Sequence, residues 1–312
     1  MSDPMKPLST DRPIAEGTPA WGADFNAAVS LLYRWWSLLD APKGTDTSRL
    51  ADDLVNATYS IKTPEFIAVD HDDLRAASAA AARSAHHLGH DDYRLYWIDG
   101  ERFRLTADYT VQIDDRCERR SLVAILRKTT AGLFVFDRLD ETSGAALPDA
   151  PFRSSYLDNR ARATSTRFQA HMDSLSGDAS RMRDLLMPVL ELHGLVASKD
   201  DRSSAGGEAL TDVDDLRKSV AGTDNVADNA IRDFAGFAAW FATAPQLFAY
   251  GLHKLEHLAV TPRPDRRFET VAQYEWVAET LNGARIETHH PLTWVFVDTD
   301  EPHMRIEKLL PF

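Results

Sequence analysis

Phe268-Glu269-Thr270-Val271-Ala272-Gln273-Tyr274-Glu275-Trp276 is the stretch whose reading decides the fold. Phe268, Thr270, Ala272, Tyr274 and Trp276 alternate with Glu269, Gln273 and Glu275. An apolar period of two is the signature of a strand with one face buried. Asn282-Gly283 then marks a turn. Ile286, Thr288, His290, Leu292, Trp294 and Phe296 form a second alternating run. Thr299 to Pro302 turn the chain again, and Met304, Ile306 and Leu309 close a third. Three long antiparallel strands joined by hairpins are expected over 268–309.

The same block occurs in the first half of the chain. Phe103, Leu105, Ala107, Tyr109, Val111 and Ile113 alternate in the same way, with Phe103 and Tyr109 matching Phe268 and Tyr274 at one constant offset. Leu122 to Leu126 match Leu292 to Phe296, and Phe134, Phe136 and Leu139 fall on Met304, Ile306 and Leu309. Upstream, Asp72-Asp73-Leu74-Arg75 recurs as Asp214-Asp215-Leu216-Arg217, and Ser48-Arg49-Leu50 as Ser180-Arg181-Met182. The matches keep their order, so the chain reads as two divergent copies of one α+β unit.

At 312 residues the chain is long enough for two domains with cores of their own. The net charge of −13 argues against a nucleic-acid or anionic-membrane partner, since either needs a basic face. The single cysteine, Cys117, excludes an internal disulfide and fits a reducing compartment. The first twenty residues lack the apolar core of a signal peptide, so a cytoplasmic location is expected. Phe234 to Leu252 is uncharged, but alanine-rich and interrupted by Gly236, Pro245 and Gly251, so it is not read as a membrane span.

Residues 1–20 read as a flexible tail, 21–143 as the first domain, 144–155 as a linker and 156–312 as the second domain. In the first, helices are expected over Phe25–Leu39, from Thr47 or Ser48 through Val55, and from Asp70 or Asp72 to about Ala85. Strands are expected to begin near Tyr93. In the second, helices are expected over Arg162–Leu175 and Ser180–Leu190, and Asp212 caps one carrying Leu216 and Val220. The second domain also gains a helical insertion near 225–245, where Phe234, Phe237, Trp240 and Phe241 recur at helical spacing. That insertion is either an aromatic wall over a pocket or a helix packed against the other copy, and the latter is favoured.

Three helices followed by a long antiparallel sheet resemble the NTF2-like superfamily, the cystatin-like α+β cone that includes the SnoaL-like and ketosteroid-isomerase-like families. Leu38-Leu39-Asp40 followed by Leu50-Ala51-Asp52-Asp53 resembles the opening of such chains, and Tyr274-Glu275-Trp276 and Trp294…Arg305-Ile306 resemble their closing strands. The resemblance covers two tandem copies. It implies a sheet curled around the first helix, enclosing a mostly apolar pocket. Because family members commonly dimerise, it also implies an intrachain pseudo-dimer and room for further homo-oligomers. It does not supply an activity, because this fold hosts enzymes and plain binding modules. The isomerase positions (helix-one tyrosine, pre-proline aspartate, late-strand aspartate) fall on Trp35, Thr63 and about Val123 in the first copy. In the second they fall on Phe168, about Leu195 and about Thr293. None of these can move a proton as that mechanism requires.

His253-Lys254-Leu255-Glu256-His257 matches the inverted zinc-protease spacing H-x-x-E-H. Zinc would need both histidines on one helical face, whereas the repeat puts this stretch at the start of the sheet, opposite about Tyr93 to Trp97, so no metal is expected. The resemblance implies instead a pocket-facing histidine here, with His253 the candidate. A strand histidine bonded to backbone is the alternative. His253 and His257 share one expected strand face, Tyr274 and Trp276 another, and His290 and Trp294 a third. If these line one cone, with Phe237 and Trp240 near its mouth, they make a site with imidazoles, a phenol and indole walls. Such a site suits a small, largely apolar, ring-type molecule with a polar end. The same rings could instead be core, with polar tips bonded to backbone, and this reading is favoured for Trp276 and Trp294. The first copy offers Tyr33, His86, His87, His90 and Tyr109, its histidines in a polar, solvated connection. Two functions follow, the first favoured because the isomerase residues are absent. One is a small-molecule binding module. The other is a cofactor-free acid/base enzyme of lyase, isomerase or cyclase type, with His253 as base and Tyr274 as donor.

Overall fold

The computed structural model describes residues 12–13, 21–80, 83–193, 230–242, 248–299 and 301–311. Most of the expected tail, the loop at 200–207 and the helix carrying Leu216 and Val220 lie outside the described residues. So does the Asp214–Arg217 half of one repeat match. The chain divides into two compact units, one taking Met1–Ala15 and Ala27–Ala163, the other Glu16–Asn26 and Thr164–Phe312.

Unit 1 builds its core on helix α1 (Trp21–Leu39), which groups with this unit from Ala27 onward. Alanine and leucine favour the helix. Residues 26–40 are buried on every face, not along one stripe, as expected of a helix wrapped by a sheet. The helix starts at Trp21, one turn before the expected cap at Asp24, which is itself buried. The short helix α2 (Ser48–Leu54) follows. Arg34 on α1 pairs with Asp53 at the end of α2 and donates to the Phe134 carbonyl.

Val55–Lys62 leaves α2 directly as strand β2, and Ile67–Ala68 forms β3. Neither strand was expected. Helix α3 (His71–Ala80) ends about five residues before its expected limit. The long strands are β4 (Ser84–Asp99), β5 (Arg102–Ile113), β6 (Arg116–Lys128) and β7 (Phe134–Leu147). β4 begins at Ser84, so His86 and His87 lie on a strand and not in a connection. β7 runs into the first residues of the expected linker. A two-residue strand β1 (Arg12–Pro13) pairs with Trp97 and Tyr96 of β4. The sheet order is β1-β4-β5-β6-β7-β2-β3, antiparallel except where β2 meets β7.

Unit 2 repeats the plan. Helix α4 (Tyr156–Asp173) begins six residues before its expected start, and a 3-10 turn (Ala179–Leu185) stands where α2 stands in unit 1. Its Asp184 pairs with Arg167 on α4, the counterpart of Arg34 and Asp53. Leu186–Leu192 is strand β8, where a continuing helix was expected. Helix α5 (Phe234–Phe241) is started by Asp233, whose side chain accepts from the Gly236 N–H. Strands β9 (Phe248–Pro262), β10 (Arg267–Thr280), β11 (Arg285–Val297) and β12 (Arg305–Pro311) follow. Their order is β8-β12-β11-β10-β9, with β8 parallel to β12. Each unit is thus α+β, with helices packed on a curved, largely antiparallel sheet. The three strands expected at 268–309 are present with their hairpins. Among the described residues no helix is long and apolar enough to cross a membrane.

Candidate functional site

The chemistry of unit 2 gathers where the end of α4 meets the outer strand β9. Asp173, the last residue of α4, is 1% exposed. Its Oδ1 lies 2.5 Å from His253 Nδ1. Its Oδ2 accepts from the His253 backbone N–H at 3.0 Å and from Asn26 Nδ2 at 2.8 Å. Asn26 Nδ2 also donates to the His253 carbonyl at 3.0 Å. A carboxylate oxygen accepts, so Nδ1 is the donor in this pair and Nε2 points away from it. The His253 ring stacks on Trp276, its cross-strand partner, with centroids 5.4 Å apart and planes 13° apart. Its side chain keeps 19% exposure.

His290 stands perpendicular to His253 with centroids 6.1 Å apart, and is stacked on Tyr274 at 6.0 Å. Burial first, then the neighbouring His253 and His289, push the His290 imidazole down to about 4. At neutral pH it is an uncharged ring with one N–H to donate. Tyr274 reaches Trp294, Trp294 meets Phe168 at 5.3 Å, and Phe168 meets Phe237, which leads to Trp240. Of the eight expected site residues, seven therefore form one chain of touching rings. α5 packs through Phe237 into the core of its own unit. A groove of about 400 Å³ lies elsewhere, along β8 and β12, lined by Met187, Val189, Arg232 and Lys308 among others, and takes in none of these eight.

His257 is the exception, and the reason is a β-bulge. Tyr274 faces Leu255, but Gln273 faces His257, so one extra residue on β9 flips the alternation between them. His257 is exposed on the other face from His253. Glu256 is held by His289 at 2.9 Å. The H-x-x-E-H spacing therefore does not converge, and among the described residues no cluster could hold a metal ion.

Unit 1 contains the same frame. Asp40 Oδ1 lies 2.5 Å from His86 Nδ1, and Asp40 Oδ2 accepts from the His86 N–H and from Asn159 Nδ2, both at 3.0 Å. Asn159 also donates to the His86 carbonyl at 3.1 Å. The ring stacks on Trp36 at 13°. Asn26, Arg34 and Asp40 match Asn159, Arg167 and Asp173 at one offset. The counterpart of His253 is therefore His86, not the expected region of Tyr93. An irregularity between Leu88 and Tyr93 adds residues to β4 and hides the alignment.

His86 is only 2% exposed and far from solvated. Burial opposes ionisation of Asp40, but the adjacent His86 ring and the hydrogen bonds outweigh it and hold the carboxyl below its usual value. Ser155 adds a further hydrogen bond to Asp40, at 2.6 Å. Where unit 2 has His290 opposite Tyr274, unit 1 has Arg120 opposite Tyr109. Arg120 is bound by Glu65, Glu118 and Glu141, and burial together with Glu141 pushes the Tyr109 phenol up. Thr63, at an isomerase position, accepts through its hydroxyl from the N–H groups of Glu65 and Phe66 in the turn after β2. Sequence reasoning missed Asp173 and Asn26 entirely. The matched spacing of Asn26…Asp40 and Asn159…Asp173 is the signal that would have found them.

No family model and no curated protein sequence matches the chain. Among solved structures it is similar to an NTF2-like superfamily protein from Salmonella enterica serovar Typhimurium, at 12% identity over 50% of this chain and 90% of that one, TM-score 0.35. It is also similar to an NTF2-like protein of unknown function from Pseudomonas aeruginosa, at 16% identity over 39% and 94%, TM-score 0.31. A third is a type 2 hexachlorocyclohexane dehydrochlorinase, at 9% identity over 42% and 95%, TM-score 0.34. NTF2-like and ketosteroid-isomerase-like proteins recur among these neighbours. Each spans about half of this chain.

Proposed function

We propose that unit 2 is an acid–base site that moves a proton on a small, flat ring compound carrying a carbonyl. The observation that carries this reading is the buried Asp173 carboxylate holding Nδ1 of a part-exposed His253, which leaves Nε2 as a base. Nε2 takes a proton from the carbon next to the carbonyl. The C–H electron pair moves into the new double bond, and the carbonyl oxygen takes up the negative charge. The neutral His290 N–H donates to that oxygen. Return of the proton to the same or a conjugated carbon completes exchange or isomerisation. Loss of a leaving group from the next carbon completes elimination. Trp276, stacked on the His253 ring, supplies an apolar wall, while Trp294 is buried in the core behind Tyr274. A neutral imidazole beside one held by a carboxylate is the division of labour such chemistry needs.

The probe is 2-tetralone deuterated beside its carbonyl, with loss of deuterium to water followed by mass spectrometry. The wild type is expected to accelerate exchange by about 10²-fold or more over buffer. His253→Ala is expected to return it to background with the melting temperature nearly unchanged. Exchange that survives in His253→Ala would contradict the assignment. Tight binding of cyclic ketones without exchange would instead identify a binding module in which His253 only anchors the polar end.

A further inference from the structure

We infer that Asn26 is a positioning residue, which fixes the orientation and proton location of His253 by closing the open edge of β9. Among the described residues β9 is the last strand of its sheet, with β10 on one side of it and no strand on the other. At His253 that edge is satisfied by side chains: the N–H goes to Asp173 and the carbonyl accepts from Asn26. The Asn26 amide also binds Asp173 Oδ2. One nitrogen with two hydrogens thus ties the carboxylate and the strand that carries the imidazole to the same point. With Oδ2 occupied by Asn26 and the His253 N–H, Oδ1 is left to Nδ1. Asn26 is 1% exposed, so water does not compete for these bonds.

An amide meets this need where its isosteres do not. Aspartate would set a second carboxylate against Asp173, and leucine would leave a buried carbonyl without its donor. The frame occurs twice in the molecule. Asn159 makes the same pair of bonds to Asp40 and the His86 carbonyl, although Gln169 stands for Trp36 and Gly22 for Ser155 around it. Its persistence at matching distances in two copies whose surroundings have diverged argues for a retained device.

The effect on turnover rests on the proposed role of His253, but the test does not. In the full-length chain labelled with ¹⁵N in histidine, long-range ¹⁵N–¹H correlation above pH 8 reads the tautomer of each ring, with His253 assigned by its loss in His253→Ala. The wild type is expected to show one tautomer, protonated at Nδ1, with that proton protected from water. Asn26→Ala should mix the tautomers at His253 and expose the proton while leaving His86 unchanged. Asn159→Ala should do the reverse. Asn26→Ser, which keeps one donor, should be intermediate and provides the measurement if Asn26→Ala does not fold. Deuterium exchange on the tetralone probe should fall between about tenfold and a hundredfold in Asn26→Ala. A His253 tautomer and Nδ1 proton indistinguishable from wild type in folded Asn26→Ala or Asn26→Ser would overturn the inference, whatever the exchange rate. Mixed tautomers with a wild-type exchange rate would uphold it and overturn His253 as the base.

Discussion

Burial keeps an imidazole neutral when it outweighs any nearby acid, and two residues of unit 2 show this. Burial first, then Arg167 and Arg181, lower His171 to about 4; burial does most of the same to His290. Their usual value is 6.5, so between pH 6.5 and 4 the unfolded chain binds protons that the folded chain refuses. The stability from each is complete above pH 6.5 and is lost as pH falls toward 4, a loss of roughly 3 kcal/mol apiece at most. Leu38 occupies the matching position of α1. His171→Leu should therefore flatten the decline in urea midpoint between pH 7 and pH 4.5 while changing it little at pH 8. A mutant whose midpoint falls as steeply as the wild type's would show that His171 is not the titrating group. His290→Phe should flatten the same limb, and should slow exchange of the tetralone probe because the oxyanion donor is gone.

At the scale of elements, the close meeting of α1 with β9 decides where His253 sits. A Cβ at Gly22 would lie 1.9 Å from the Gly251 carbonyl oxygen, so only glycine lets the helix approach this closely. Gly22→Ala should cost about 1–3 kcal/mol and disturb the His253 Nδ1 proton, two residues along the strand. A thermal melt within about 1 °C of wild type would contradict it. The long hairpins were legible because one buried face gives period two over ten or more residues. β2 and β8 were not, because seven or eight residues after a short helix carry too few repeats to separate strand from helix; Pro188 further blurs β8. His257 was misplaced because a single bulge reverses every later side chain, and periodicity contains no sign of it. The Asp–His pairs were illegible for another reason. Their members lie 46 and 80 residues apart and meet only through the sheet's closure onto the helix.

At the scale of the whole molecule, duplication has produced one frame used in two ways. In unit 1 the Asp40–His86 pair is walled in by Trp36 and accompanied by the Arg120 ion pairs, which suits a core strut. Removing His86 leaves a buried carboxylate without its partner, so His86→Ala should destabilise by several kcal/mol, read as a large fall in urea midpoint. In unit 2 the same pair keeps an accessible ring, and the arginine is replaced by the neutral His290. The two histidines, bonded alike through Nδ1, are expected to differ in whether Nε2 meets solvent. Diethyl pyrocarbonate, which acylates an accessible neutral imidazole nitrogen, tests this directly when the native full-length chain is labelled briefly near pH 7 and each histidine is read by peptide mass spectrometry. His253 is expected to be modified while His86 stays unmodified until the protein is unfolded. Modification of His86 as fast as His253, or a His253 that resists until unfolding, would contradict it.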